Sequence, residues 1–370
     1  MSTLHIFCPW HEEALAAHSP HFTPTRAARQ MADSLCTLPA WWAKQGDMVW
    51  VPNEEWTAHI EGNSGVIFSS HPDFSHITSI DAWGWSLSLH RRLQRLGCPE
   101  QLLPSEEQLH HLREMSSRRS TTRMLQILQQ HNVGQAFASW WCEDEKSVRQ
   151  IVTRHGGNFI CKAPWSGSGR GVFRLEAESP AAWQRLRSTL HRQGGVELEP
   201  FYNRWADFAM EFRLAAGKCE WVGLSLFSTG PTGAYTGNIV ASDEALVQKL
   251  CARAEESENG SSERIAHMLT VVQEVLMHTL PEMLSSIEGY VGVDMMLVQM
   301  PDGSVALHPC VELNLRRTMG LAAISMRQHL PHDCAEGRFC VRATPPLIET
   351  CKDSLQLTPP GMPFEARLFF

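Results

Sequence analysis

The stretch NFICKAPWSGSGRGVFRL begins at Asn158. It ends a short apolar run on Lys162, turns through Ser166, Gly167, Ser168, Gly169, Arg170 and Gly171, and enters a second apolar run. Glycines let backbone N–H groups close on an anion without side-chain obstruction. The two serines add hydroxyl donors and Arg170 adds charge. No Gly-Lys-Ser/Thr ends the glycine run, so this is not a P-loop. The strand-like VFRLEA after Gly171 does not open the helix that a dinucleotide fingerprint requires. Two readings remain, a hairpin that carries a lysine or a flap over a phosphate chain.

A second constellation lies in GVDMMLVQMPDGSVALHPCVELNLRRTMG. Asp294 sits mid-strand among apolar residues, and Glu312 and Asn314 end the partner strand of a hairpin turned at Pro301-Asp302-Gly303. Buried carboxylates on both strands are costly unless a cation pairs with them. Two carboxylates and an amide oxygen form a hard-oxygen set suited to Mg²⁺. An ion pair with Arg316 or Arg317 is the other reading. A third piece, VELEPFYNRWADFAMEFRL, places Glu199, Tyr202 and Asp207 where a strand gives way to the next. It is a plain inter-strand loop or a grip for a purine edge.

Taken in order, these pieces resemble the ATP-grasp family over roughly residues 106–325. The resemblance implies an α/β fold, with a parallel pre-grasp domain followed by two lobes that clasp ATP between antiparallel sheets. It implies Lys162 near the α-phosphate and adenine, Arg119 (or Arg118) at the phosphates, and Ser166 to Gly171 as the flap, including Ser168, Gly169 and Arg170. It implies Glu199 at the adenine amino group, Tyr202 at the hinge, Asp207 on the ribose, and Asp294, Glu312 and Asn314 on Mg²⁺. The implied reaction is a carboxylate–amine ligation through an acyl phosphate, on small-molecule or peptide substrates. Arg316, Arg317 and Arg213 could hold the substrate carboxylate in a guanidinium fork. A small-molecule kinase and a non-catalytic nucleotide-binding module stay open as alternatives. Three features depart from the common pattern: arginine stands where lysine is frequent, Asp207 is shorter than glutamate, and no lysine serves the γ-phosphate loop. STGPTGAYTGN (residues 228–238) is the substitute for that last one.

The elements that must position these groups follow from pattern. LHIFC, MVWV and GVIFSS read as strands separated by helices, the signature of a parallel sheet. Ser105 opens a helix, and Thr121 to Gln130 carries apolar residues at helical spacing. Strand signals dominate from Asn158, interrupted by a helix over Pro180 to His191 and a long amphipathic helix from Ile265 to Leu280. The expected division is a pre-grasp domain at 1–105, lobe A at 106–200 and lobe B with a C-terminal extension at 201–370.

Composition bounds the rest. A chain of 370 residues with 43% hydrophobic and 19% charged content can bury a sizeable core. A formal net charge of −8 argues against non-specific nucleic-acid binding. MSTLHIFCPWHEE lacks the basic leader and long apolar core of a signal peptide, no apolar run reaches membrane-spanning length, and the 11 cysteines show no C-x-x-C pair, so a cytoplasmic location is expected. His11, Glu12 and Arg26 follow a strand end, where parallel sheets bind ligands, and are candidates to touch the acceptor.

Overall fold

A computed structural model describes residues 2–57, 65–167, 169, 171–230, 235–343 and 353–370. Its first unit is a sheet of four parallel strands, β1 (Ser2–Ile6), β2 (Met48–Trp50), β3 (Ile67–Ser69) and β4 (Ile77–Ala82), in the order β3-β2-β1-β4. Helices α1 (His11–Ala17), α2 (Arg26–Leu35) and α3 (Leu87–Arg95) accompany it, and a 3₁₀ turn at Leu38–Trp41 follows the break near Pro39. Strand β4 was not among the expected strands. Its exposed Thr78 and Ser79 hide the apolar alternation, as suits an edge strand.

Ser105 and Gln108 form a reciprocal capping box at the start of α4 (Glu106–Met115), satisfying two orphan N–H groups. Ser117 caps α5 (Arg118–Gln130), which buries Met124, Leu125 and Leu128. The second sheet comprises β5 (Trp140–Cys142), β6 (Phe159–Lys162), β7 (Val172–Leu175) and β8 (Val196–Pro200), antiparallel in the order β5-β8-β6-β7. Helices α6 (Glu145–His155) and α7 (Pro180–Gln193) cover one face, through Val148, Trp183 and Leu186 against Phe159, Cys161, Phe173, Val196 and Leu198. Strand alternation then turns Lys162, Glu197 and Glu199 to the other face.

The third sheet is antiparallel, with β9 (Arg204–Ala215), β10 (Lys218–Thr229), β11 (Tyr235–Ala241), β12 (Gly289–Gln299), β13 (Val305–Asn314), β14 (Glu336–Ala343), β15 (Ser354–Gln356) and β16 (Phe364–Phe369), ordered β13-β12-β9-β10-β11-β14-β16-β15. Helices α8 (Asp243–Glu255) and α9 (Ser262–Met283) pack Leu246, Leu250, Ile265, Leu269 and Val272 against Phe208, Met210, Phe212, Val291 and Val293. The opposite pleats carry Asp207 and Glu211 of β9, Asp294 of β12 and Glu312 and Asn314 of β13. A short helix, α10 (Met319–Met326), follows β13.

The first sheet and the end of the third share one core. Leu4, Ile6, Leu35 and Trp41 cluster with Phe339, Ala366 and Leu368. The Trp41 indole donates to the Leu357 carbonyl at 2.7 Å, and the Phe364 N–H donates to Ser34 Oγ at 3.3 Å. The expected mixed α/β fold, one parallel sheet followed by antiparallel ones, is the fold observed. Among the described residues no helix is long and apolar enough to cross a membrane, and the described cysteines are free and mostly buried.

Candidate active site

The cleft is built from the polar pleats of two sheets. On the second sheet Lys162 lies opposite Glu197 and Ile160 opposite Glu199, so alternation brings the ammonium between both carboxylates. Lys162 Nζ stands 2.9 Å from Glu199 and 3.5 Å from Glu197. It also donates across the cleft to the Val311 carbonyl of β13 at 3.0 Å. All three side chains are at most 5% exposed. Burial opposes the lysine charge, but the two carboxylates outweigh it and hold its pKa above the ordinary value. Burial likewise raises Glu199, against the pull of Lys162. Thus Glu199 holds the lysine rather than standing free for a base.

Facing this group, Asp294 and Glu312 are direct register partners on β12 and β13, and Gly292 pairs with Asn314. Burial and the facing Glu312 carboxylate push Asp294 up to about 7, while the Asn314 side chain hydrogen-bonds to it. Glu312 is met by a cation, though neither Arg316 nor Arg317. Arg118, at the start of α5, places NH2 2.6 Å from Glu312 and donates from NH1 to the Val311 carbonyl at 3.1 Å. Arg119, expected at the phosphates, is exposed and lies 3.5 Å from Glu143. The inward arginine is Arg118, which shares the buried face of α5 with Thr121 and Leu125. Among the described residues no three His, Cys, Asp or Glu side chains gather as a metal cluster. The oxygen donors brought together are Asp294, Glu312 and Asn314.

A third buried carboxylate was not anticipated. Glu211 of β9 lies opposite Gly292, and burial pushes it up to about 8 although the Thr318 hydroxyl donates to it at 2.6 Å. Its one sequence signal is a mid-strand charge flanked by the apolar Met210 and Phe212. Room for it comes from glycine. A Cβ at Gly320 would lie 2.3 Å from Glu211 Oε1 and 2.4 Å from Ser225 Oγ. Gly320→Ala is therefore expected to cost about 1–3 kcal/mol by overpacking, despite alanine's better helix propensity. Urea unfolding checks this, and an alanine variant as stable as the parent would refute it.

Arg316 and Arg317 diverge. Arg316 pairs with Glu12 at the start of α1. Arg317 turns to the parallel sheet, 2.7 Å from Asp81, which is itself 2.8 Å from His5 Nδ1. Asp81 is held down at about 2, since Arg317 and His5 outweigh its burial. Arg317 also lies over the Tyr290 ring at 4.1 Å, so it anchors one unit to another and does not line the cleft. Arg213 is exposed and pairs with Glu220 at 3.4 Å, away from these groups. Of the proposed acceptor contacts, His11 and Glu12 line the same small pocket as Arg316 and Asn314. Arg26 is exposed at the start of α2.

The remaining expectations are distributed around this centre. Ser166 is buried below the flap and donates to the Ala163 carbonyl at 3.3 Å. Gly169 and Gly171 have φ of 74° and 82°, and a Cβ at Gly171 would lie 2.8 Å from that of Ser166, so the turn needs glycine there. Ser168 and Arg170 lie outside the described residues, as do residues 231–234 of the STGPTGAYTGN stretch. The Tyr202 hydroxyl accepts from the Ala138 N–H at 2.8 Å, and its ring packs on Phe137 and the fully buried His308. Asp207 is 2.9 Å from Arg204 and accepts from Thr229 at 3.2 Å.

No family model matches this sequence, and no curated protein does. Solved structures do. The biotin carboxylase domain of the 2-oxoglutarate carboxylase of Hydrogenobacter thermophilus, in complex with MgADP, ADP and bicarbonate, is 12% identical. The match covers 99% of this chain and 85% of that one, with a TM-score of 0.53. Biotin carboxylase of Campylobacter jejuni, in a β-γ-ATP complex, is 11% identical over 100% of this chain and 87% of its own, with a TM-score of 0.53. The likeness is one of fold.

Proposed function

We propose that this chain, which has the ATP-grasp fold, is a Mg²⁺-dependent ligase that uses ATP to activate a carboxylate as an acyl phosphate for attack by an amine. The observation that carries the reading is the pair Asp294 and Glu312, in register on β12 and β13, with Lys162 and Arg118 meeting at Val311 beside them. The nucleotides named in the titles of the two similar structures support the choice of ligand.

The residues fit the metal. Two carboxylates with a neighbouring amide are hard-oxygen donors, and Mg²⁺ keeps its other positions for water and phosphate. Burial and, after it, the facing Glu312 raise the pKa of Asp294, a conflict that a divalent cation would relieve. Held by Asp294, Glu312 and Asn314, Mg²⁺ would neutralise charge on the transferring phosphoryl group.

The chain's own groups supply the rest. Lys162 and Arg118 offer two buried cations to the phosphates, where low dielectric strengthens their pull. Asp207, on the face of β9 that also carries Glu211, would meet the ribose hydroxyls. Arg316 would hold the carboxylate, and Arg317, paired with Asp81, fixes the segment from which Arg316 projects. Free, buried thiols match a reducing compartment such as the cytoplasm.

Calorimetric titration with ATP, with and without Mg²⁺, tests the reading. Mg²⁺-dependent binding is expected. Equal binding in both conditions would remove the metal assignment, and no binding would remove the proposal.

A further inference from the structure

We infer that the Glu12–Arg316 ion pair stands in for the substrate, and that the activated carboxylate belongs to an α-amino acid whose carboxylate takes Arg316 and whose ammonium takes Glu12 and His11. This rests on the ligase reading of the cleft and names its substrate class.

The pair joins residues from opposite ends of the chain. Glu12 projects from the start of α1, and Arg316 lies just past Glu312 and Asn314. Their side chains are 18% and 16% exposed. Together with Asn314, Ser166 and His11 they line a pocket of about 20 Å³, room for little more than one water. A substrate that reaches Arg316 has to part the pair. A simple carboxylate would satisfy the arginine and leave Glu12 buried with no cation, which is strongly unfavourable. A molecule carrying both charges satisfies both partners. Because Glu12 and Arg316 touch, the two charges must be close together, as in an α-amino acid.

His11 is the independent observation. Its Nε2 lies 3.0 Å from the Trp85 carbonyl, so that nitrogen donates and Nδ1 carries the lone pair. The residue is 2% exposed, and among the described residues Nδ1 has no hydrogen-bond partner. Burial holds its pKa down at about 4, so the ring is neutral near pH 7. A neutral acceptor beside a carboxylate suits an N–H donor and repels an anion. The ring fits against Gly84, where a Cβ would come within 2.5 Å of it. A Cβ at Gly167 would come within 3.0 Å of Glu12, so the base of the flap closes on the same acid.

The test compares ligand forms on the parent protein, in the presence of Mg²⁺ and a non-hydrolysable ATP analogue. Each proteinogenic L-amino acid is titrated free, N-acetylated and as its carboxamide, with binding followed by thermal shift and calorimetry. At least one free amino acid is expected to bind, with both blocked forms weaker by about tenfold or more, the loss of roughly one charged contact. Glu12→Gln is expected to weaken the free amino acid by about the same factor and to spare the nucleotide. If the nucleotide binds but no free amino acid does, or if N-acetyl forms bind equally well, this inference falls and the ligase reading stands. If the nucleotide does not bind, both fall. Should Glu12→Gln fail to fold, the comparison of ligand forms on the parent still decides.

Discussion

Lys162→Met is expected to destabilise the protein by about 3–5 kcal/mol, the range for breaking a buried ion pair by removing one partner. Its effect on nucleotide binding comes on top of that. Glu197 and Glu199 are 0% and 5% exposed, and without the ammonium they keep only the Ser139 hydroxyl, which donates to Glu197 at 2.9 Å, and the more distant Arg118. The added substitutions Glu197→Gln and Glu199→Gln should recover most of the stability, because they remove the orphaned charges. They should not restore nucleotide affinity, expected to stay about 10- to 150-fold down for a lost charged hydrogen bond. The pH dependence has a definite sign. Burial already raises Glu199, and in Lys162→Met only the more distant Arg118 opposes that rise. The native variant would hold protons that the unfolded chain releases at the ordinary carboxylate pKa. Its stability deficit therefore grows as pH climbs through and above that range. Urea unfolding across pH measures this, and a pH-independent deficit would refute the account.

Asp294→Asn is expected to act in opposite directions on stability and turnover. Asp294 has its pKa raised from 3.8 to about 7 by burial and by Glu312. A group with a raised native pKa contributes stability below its unfolded value and loses it as pH rises through the native one. Near and above pH 7 the parent thus carries a penalty on the order of 3 kcal/mol, which asparagine removes at nearly the same volume. The variant should melt higher than the parent at pH 8, with a gain that shrinks as pH falls towards 3.8 and vanishes below it. ATP-dependent turnover should fall by more than about 100-fold, since even the partners that orient a metal ligand are worth about 10–100-fold. A variant that is no more stable at pH 8, or that keeps its turnover, would contradict the reading of Asp294 as an acid retained for function against stability.

Much of this site was legible in the sequence where chemistry and period coincide. The hairpin turn at Pro301-Asp302-Gly303 fixes two apolar strands, and period-two alternation is enough to put Glu312 and Asn314 on one face. The same alternation could have found Glu211, which shares with Asp207 the face of β9 turned away from Phe208, Met210 and Phe212. Arg118 was also within reach. It stands three residues before Thr121 and seven before Leu125, on the buried stripe, whereas Arg119 falls on the solvent side. Other features had no local signal. Glu12 meets Arg316 across 304 residues, and Arg317 meets Asp81 across 236. No spacing rule spans such distances. They depend on how the parallel sheet docks on the third sheet.

The core shared by β1 and β16 bears on how the protein is made. Leu4 and Ile6 leave the ribosome long before Ala366 and Leu368, yet they occupy one cluster. A nascent chain usually folds from its N-terminus, unit by unit. Here the parallel sheet waits, with Leu35 and Trp41 uncovered, until β16 has been synthesised. Its apolar face is open to chaperones throughout that interval. A ribosome that stalls before β16 would release a product whose N-terminal unit lacks a lid, a natural substrate for proteolysis.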